Sequence, residues 1–164
     1  MTTWHLAQLN VARAVAPLDS PTLAEFMGAL DRINALAEVS PGFVWRLQAE
    51  GGNATAVRTS DDPQFIVNLS VWSSVEALFD FVYRTAHTQV MVRRREWFDP
   101  PAEAHMVLWW IPAGHVPTVE EALERLAHLR TQGPSPHAFT FKSRHPHPGE
   151  TGEPIDMEPE RYCR

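Results

Sequence analysis

Cysteine is almost missing from this 164-residue chain: the only one, Cys163, stands next to the last residue. That excludes an internal disulfide and a cysteine-based metal cluster, and a thiol so placed is a poor catalytic nucleophile. Basic charge is also short. Lys and Arg number 14 against 20 Asp and Glu, a formal charge of −6, which argues against a nucleic-acid partner held by phosphate neutralisation. The run Arg93, Arg94, Arg95 is a local exception and leaves room for an anion site. No apolar run approaches membrane-spanning length, and the N-terminus lacks the basic and then apolar stretches of a secretory signal, so no membrane partner is expected and the expected compartment is the cytoplasm. Gly-rich phosphate loops, a nucleophile elbow and internal repeats are absent too. His105, His115, His137, His145 and His147 have no metal-ligand spacing, so no metal is expected, a site of His87 with His105 or His115 being the minor alternative.

What is present is an apolar content of 44%, enough for one domain with a proper core over residues 1–143. From Arg144 onward the Pro, Glu and His content reads as a mobile tail, 144–164. Trp4 to Val15 alternates as a strand, with Ala7, Leu9 and Val11 on one side and Leu6, Gln8 and Asn10 on the other. Pro21 opens a helix to about Glu38 that carries Leu23, Phe26, Met27, Leu30, Ile33 and Ala37 as one stripe. A second strand, Phe43 to Ala49, sets Phe43, Trp45 and Leu47 against Val44, Arg46 and Gln48. A polar loop, Glu50 to Gln64, leads to a third strand, Phe65 to Trp72. Ser73-Ser-Val-Glu76 forms a capping box for a second helix, expected to run on through the Arg run to about Phe98, where Asp99-Pro100-Pro101 stops it.

His105 to Ile111 is a fourth strand with large apolar residues on both faces. One helix layer covers one face, so the other is expected to pack on a second subunit. Thr118-Val-Glu-Glu121 caps a further helix with Ala122, Leu126 and Leu129, ended by Gly133-Pro134, and Phe139-Thr-Phe141 reads as a short last strand. The order β-α-β-β-α-β plus an added helix and strand predicts a ferredoxin-like α+β fold.

Six strings carry a family resemblance: Val67-Asn-Leu-Ser-Val-Trp72, Tyr83 through His87, Arg95-Glu-Trp-Phe98, Trp109-Trp-Ile-Pro-Ala-Gly-His115, Pro117-Thr-Val-Glu-Glu121 and Gly133 through Phe141. Together they resemble an uncharacterised bacterial domain of unknown function related to the dimeric α+β barrel superfamily, in which the antibiotic-biosynthesis monooxygenases fall. The resemblance spans Trp4 to Phe141. It implies a dimeric α+β barrel and a homodimer, and leaves the chemistry open among cofactor-independent monooxygenases, haem-degrading enzymes, haem-dependent dehydratases, cyclases and isomerases. A haem-degrading relative would place counterparts at Asn10 or Asn68, Trp72 and His87, although the separation of Trp72 and His87 departs from that pattern.

The densest chemistry lies between Tyr83 and Phe98. On a continuous helix His87 falls at the edge of the apolar stripe, with Tyr83 and Arg94 on the same side. His87 suits a general acid or base, or an axial haem ligand; the bland alternative is a histidine bonded to backbone. Tyr83 could donate to an oxyanion and Arg94 could clamp an anion, with Arg95 turned toward a loop or partner. Rim packing for Tyr83 and solvated charges for the arginines are the plain alternatives. Trp45, Trp72, Trp97, Trp109 and Trp110 could shape a flat aromatic pocket or belong to the core or a dimer interface. Asn68 and Ser70 share a strand face with Ile66 and Trp72, and so are ligand contacts or interface hydrogen-bonders. The reading is a small-molecule enzyme with no cofactor, taking a proton from a flat phenol-like or enol-like substrate with a monooxygenase or isomerase/cyclase outcome. A haem protein and a non-catalytic ligand-binding module are its rivals.

Overall fold

The computed structural model describes residues 2–48 and 62–156. The expected loop lies mostly at 49–61, outside the described residues, as does Cys163. Four strands form one antiparallel sheet in the order β2-β3-β1-β4. They are β1 (Trp4–Arg13), β2 (Phe43–Arg46), β3 (Phe65–Trp72) and β4 (Met106–Pro112). Helix α1 (Ala24–Val39), entered through a 3-10 turn at Pro21–Leu23, crosses from β1 to β2. Between β3 and β4 the chain forms α2 (Val75–Arg84), α3 (His87–Val92) and α4 (Arg94–Trp97), and α5 (Val119–Gln132) follows β4. This is the expected ferredoxin-like α+β arrangement.

Strand parity divides the core in two. Ala7, Leu9, Val11, Val67, Leu69, Val71, Val107, Trp109 and Ile111 face one way and pack with Ala122, Leu126 and Leu129 of α5. The expectation that this face needs a second subunit is corrected here: α5 of the same chain lies on it, and Trp109 is fully buried. The capping Thr118 hydroxyl, accepting from Glu121 N at 3.1 Å, starts α5 where its apolar stripe can reach the sheet. Each leucine buried there is worth about 2 kcal/mol of apolar transfer. The opposite face carries Leu6, Trp72 and Leu108, covered by Leu78, Phe79 and Phe81 of α2 and by Ala37 of α1.

Three local expectations are corrected. The α2 cap is Ser74, which accepts from Ala77 N, not Ser73. The second strand does not keep its alternation: a register shift between Phe43 and Trp45 places Phe43 opposite Trp72 and Trp45 opposite Val71. A bulge of this kind sends the two aromatics to opposite faces. Finally, the long helix after Ser74 breaks at Thr85, which is extended (φ −122°, ψ −177°). Its hydroxyl donates to Phe81 O and accepts from His87 N, so a side chain takes over backbone bonding that would have continued the helix.

The end of the chain is tied to β4. Phe139 and Leu108 exchange backbone bonds at 2.8 Å in each direction, a single bridge where a short strand was expected. Where the stretch read as a tail begins, Ser143–Arg144 (β5) pairs with Ile155–Asp156 (β6), and the Trp110 indole donates to His145 O at 2.8 Å. Among the described residues no helix is long and apolar enough to cross a membrane.

Candidate functional site

A cavity of about 320 Å³ opens between the helix-covered face of the sheet and α1, α2 and α3. Its floor is made by alternate residues of β1 and β3. Gln8 stands opposite Ser70 and Asn10 opposite Asn68 in the ladder, so four polar side chains occupy one patch of an otherwise apolar face. They are joined. Gln8 Nε2 donates to Asn68 Oδ1 at 2.8 Å and to Ser70 Oγ at 2.9 Å, and Trp72 Nε1 donates to the same Ser70 Oγ at 3.0 Å. Gln8 and Ser70 are buried, which such bonds permit. Asn10 and Asn68 are exposed at the open side.

The break at Thr85 decides where His87 points. Its Nδ1 lies 3.2 Å from Val82 O. A carbonyl only accepts, so Nδ1 carries the proton and Nε2 keeps its lone pair. The ring also rests against Phe81, centroids 5.0 Å apart, which stacks in turn on Trp72 at 5.1 Å. Burial pushes the His87 imidazole below the ordinary histidine value of 6.5, and the bond to Val82 offsets part of this. Neutral His87 is therefore the form present at physiological pH.

The three arginines diverge, as successive helical positions must. Arg93 pairs with Glu25 and Glu96 and lies over the Trp97 ring at 4.7 Å. Arg94 turns to the cavity and donates from Nη1 to His105 Nε2 at 3.1 Å. Arg95 is exposed. Since a guanidinium only donates, His105 Nε2 is unprotonated; burial, then Arg94 and Arg130, hold its pKa below 6.5.

Of the residues singled out in the sequence, His87, Tyr83, Arg94, Asn68 and Trp72 line this cavity. Tyr83 packs against Phe79 and Phe141 at centroid distances of 4.7 and 5.9 Å. Four others are placed elsewhere. Trp45 and Trp109 belong to the α5 face, Trp45 through the β2 bulge and Trp109 through β4 parity. Trp97 is buried beside Phe26 under α4, and Arg95 faces solvent. Sequence reasoning passed over Gln8, Asn34 and Arg46, and weighed His105 beside His87 only as a metal site. Two amides alternating on β1 were a usable signal for Gln8 and Asn10. Arg46 had none, because only the bulge turns it toward the cavity. Its guanidinium is half-buried and paired with Glu38 at 2.9 Å.

No Asp or Glu lines the cavity among the described residues, whereas Arg46, Arg94, His87 and His105 do. Nor could any group of three or more His, Cys, Asp or Glu among those residues hold a metal ion. The arrangement suits a flat, largely apolar ligand bearing an oxygen that is, or becomes, negative.

The chain belongs to the family described as domain of unknown function DUF3291, whose model matches residues 5–154. That agrees with the resemblance read from its motifs. No curated protein matches the chain. Among solved structures it is similar to a variant of SnoaB, a cofactor-independent oxygenase from Streptomyces nogalater, with 17% identity, TM-score 0.46, and 68% of this chain and 95% of that chain covered. It is also similar to a putative antibiotic biosynthesis monooxygenase from Nitrosomonas europaea, with 17% identity, TM-score 0.41, and 71% and 93% covered. A third, from Chloroflexus aurantiacus J-10-fl and bearing the same description, has 16% identity, TM-score 0.39, and 70% and 98% covered.

Proposed function

We propose that the chain is a small-molecule enzyme that removes a proton from a flat phenol-like or enol-like substrate without a cofactor. The observation that carries this reading is the Nε2 of a neutral, half-buried His87, which has no partner among the described residues, on a cavity whose described lining has no carboxylate. In the proposed step the substrate proton passes to His87 Nε2, and the electron pair stays on the substrate as an enolate or phenolate. Arg94, steadied by His105, and the Asn68 amide face that charge, while the buried stack of Trp72 on Phe81 backs the cavity. The anion then reacts with dioxygen, as in a monooxygenase, or rearranges, as in an isomerase or cyclase.

His87→Ala should lower turnover of a responsive phenol or enol by at least about a hundredfold, the scale of general-base catalysis, with the fold intact by circular dichroism. Undiminished turnover in that variant refutes the proposal. The same Nε2 lone pair would serve as an axial haem ligand. A visible spectrum during haemin titration separates the two: a saturable Soret shift lost in His87→Ala replaces the cofactor-free reading with a haem one.

A further inference from the structure

We propose that Gln8 is a positioning residue that sets the hydrogen-bond polarity of the cavity floor, so that Asn68 presents its N–H₂ to the ligand and selects a carbonyl or oxyanion oxygen. This rests on the reading of the cavity as the substrate site and adds which atom type the floor accepts.

A carboxamide is nearly symmetrical in shape, and one face of Asn68 could offer a ligand either an acceptor or two donors. The neighbours decide. Gln8 Nε2 lies 2.8 Å from Asn68 Oδ1 and 2.9 Å from Ser70 Oγ. The whole chain would also close with both amides turned over, Asn68 donating to Gln8. The backbone discriminates: the same Gln8 nitrogen sits 3.5 Å from the Asn68 carbonyl oxygen, which can only accept. A turned-over Gln8 would set its own oxygen against that carbonyl. On the other side Trp72 Nε1, which can only donate, holds one lone pair of Ser70 Oγ.

The polarity thus runs from Gln8 outward, and the Asn68 oxygen is consumed by it. Gln8 and Ser70 are buried at 6% and 7% exposure while Asn68 is exposed, so Asn68 is the end of the chain that a ligand meets. Among the described residues its amide N–H₂ has no protein acceptor. The floor therefore matches a ligand oxygen with lone pairs, and would leave a ligand hydroxyl or amine proton facing donors.

Two neutral probes of similar shape test this: 2-acetylnaphthalene, which accepts, and 2-aminonaphthalene, which donates, titrated by fluorescence at pH 8. The wild-type protein should favour the ketone by about tenfold, the order of one well-made against one unmade hydrogen bond. Gln8→Glu puts an acceptor-only carboxylate where the donor was, which turns Asn68 over; the amine should then bind more tightly than it does to the wild type. A merely damaged cavity cannot gain affinity. Gln8→Met keeps the side-chain length without any N–H and should bring the ratio toward unity. Retention of the wild-type preference in Gln8→Glu, or in Gln8→Met should the glutamate variant not fold, overturns the inference while leaving the substrate site standing. If neither probe binds the wild type saturably, the cavity reading fails and this inference with it.

Discussion

Arg94 and His105 meet at the wall of the cavity, with Arg94 Nη1 donating to His105 Nε2 at 3.1 Å. One residue comes from α4 and the other precedes β4, so the bond also joins the short-helix segment to the sheet. It gives His105 an orienting duty: an acceptor there holds the guanidinium, and an apolar residue would release it. His105→Leu should weaken binding of an anionic aromatic ligand by about tenfold, and His105→Gln, whose amide oxygen still accepts, should stay within about threefold. Isothermal titration of both variants checks the difference.

Trp109 and Trp72 belong to different cores, although both were candidates for an aromatic pocket. Trp109 is fully buried against the α5 side. Trp109→Ala should cost about 3–5 kcal/mol of stability, as large aromatic truncations in cores do. Ligand affinity at a temperature where the variant is folded should be unchanged. Denaturant melts paired with a binding titration would expose the opposite result.

The two cavity histidines also predict an acid-labile window. His87 and His105 have pKa values held below the unfolded value of 6.5. Depressed values mean that the unfolded chain binds protons first, so their contribution is full above 6.5 and is lost as pH falls through the folded values. Asp62 and Glu96, depressed from 3.8 and 4.5 by their hydrogen bonds, act only at lower pH. Denaturant midpoints should therefore fall between pH 6.5 and 4.5, and the double variant His87→Gln, His105→Gln should flatten that fall.

Among the described glycines, Gly42 is the one with neighbours close enough to meet an added side chain. It has φ +83°, and an added Cβ would lie 2.5 Å from Ala77 Cβ and 2.6 Å from Ser73 Oγ. Gly42→Ala combines left-handed strain with overlap against the start of α2, and should cost about 2–3 kcal/mol. Gly114 also has positive φ (+92°) but open space around it, so Gly114→Ala should cost only the backbone part, about 1 kcal/mol. Thermal melts of the pair isolate the packing contribution.

Much of the fold was legible because it follows from period and punctuation. Alternation drew β1 and β3, the 3.6-residue stripes drew α1 and α5, and Thr118 capped where its motif placed it. The chemistry of the Tyr83 to Phe98 stretch was legible as a density of residue types. Its geometry was not, because a threonine hydroxyl competing for backbone bonds at Thr85 leaves no trace in hydrophobic periodicity.

The sequence by itself determined the alternation of β1 and β3, the start of α5 at Thr118, and that His87, Tyr83, Arg94, Asn68 and Trp72 were worth watching. Tertiary structure decided which of them share a space. A one-residue bulge in β2 sent Trp45 away from Phe43, β4 parity sent Trp109 to the α5 side, and α5 covered a sheet face that the pattern had assigned to a partner. Only the folded ladder sets Gln8 opposite Ser70 and beside Asn68, 60 residues apart, and so gives the cavity floor a direction. Local patterns fix the face a side chain takes within its own element; what that face meets depends on register and layer order, which are settled only when distant segments pair.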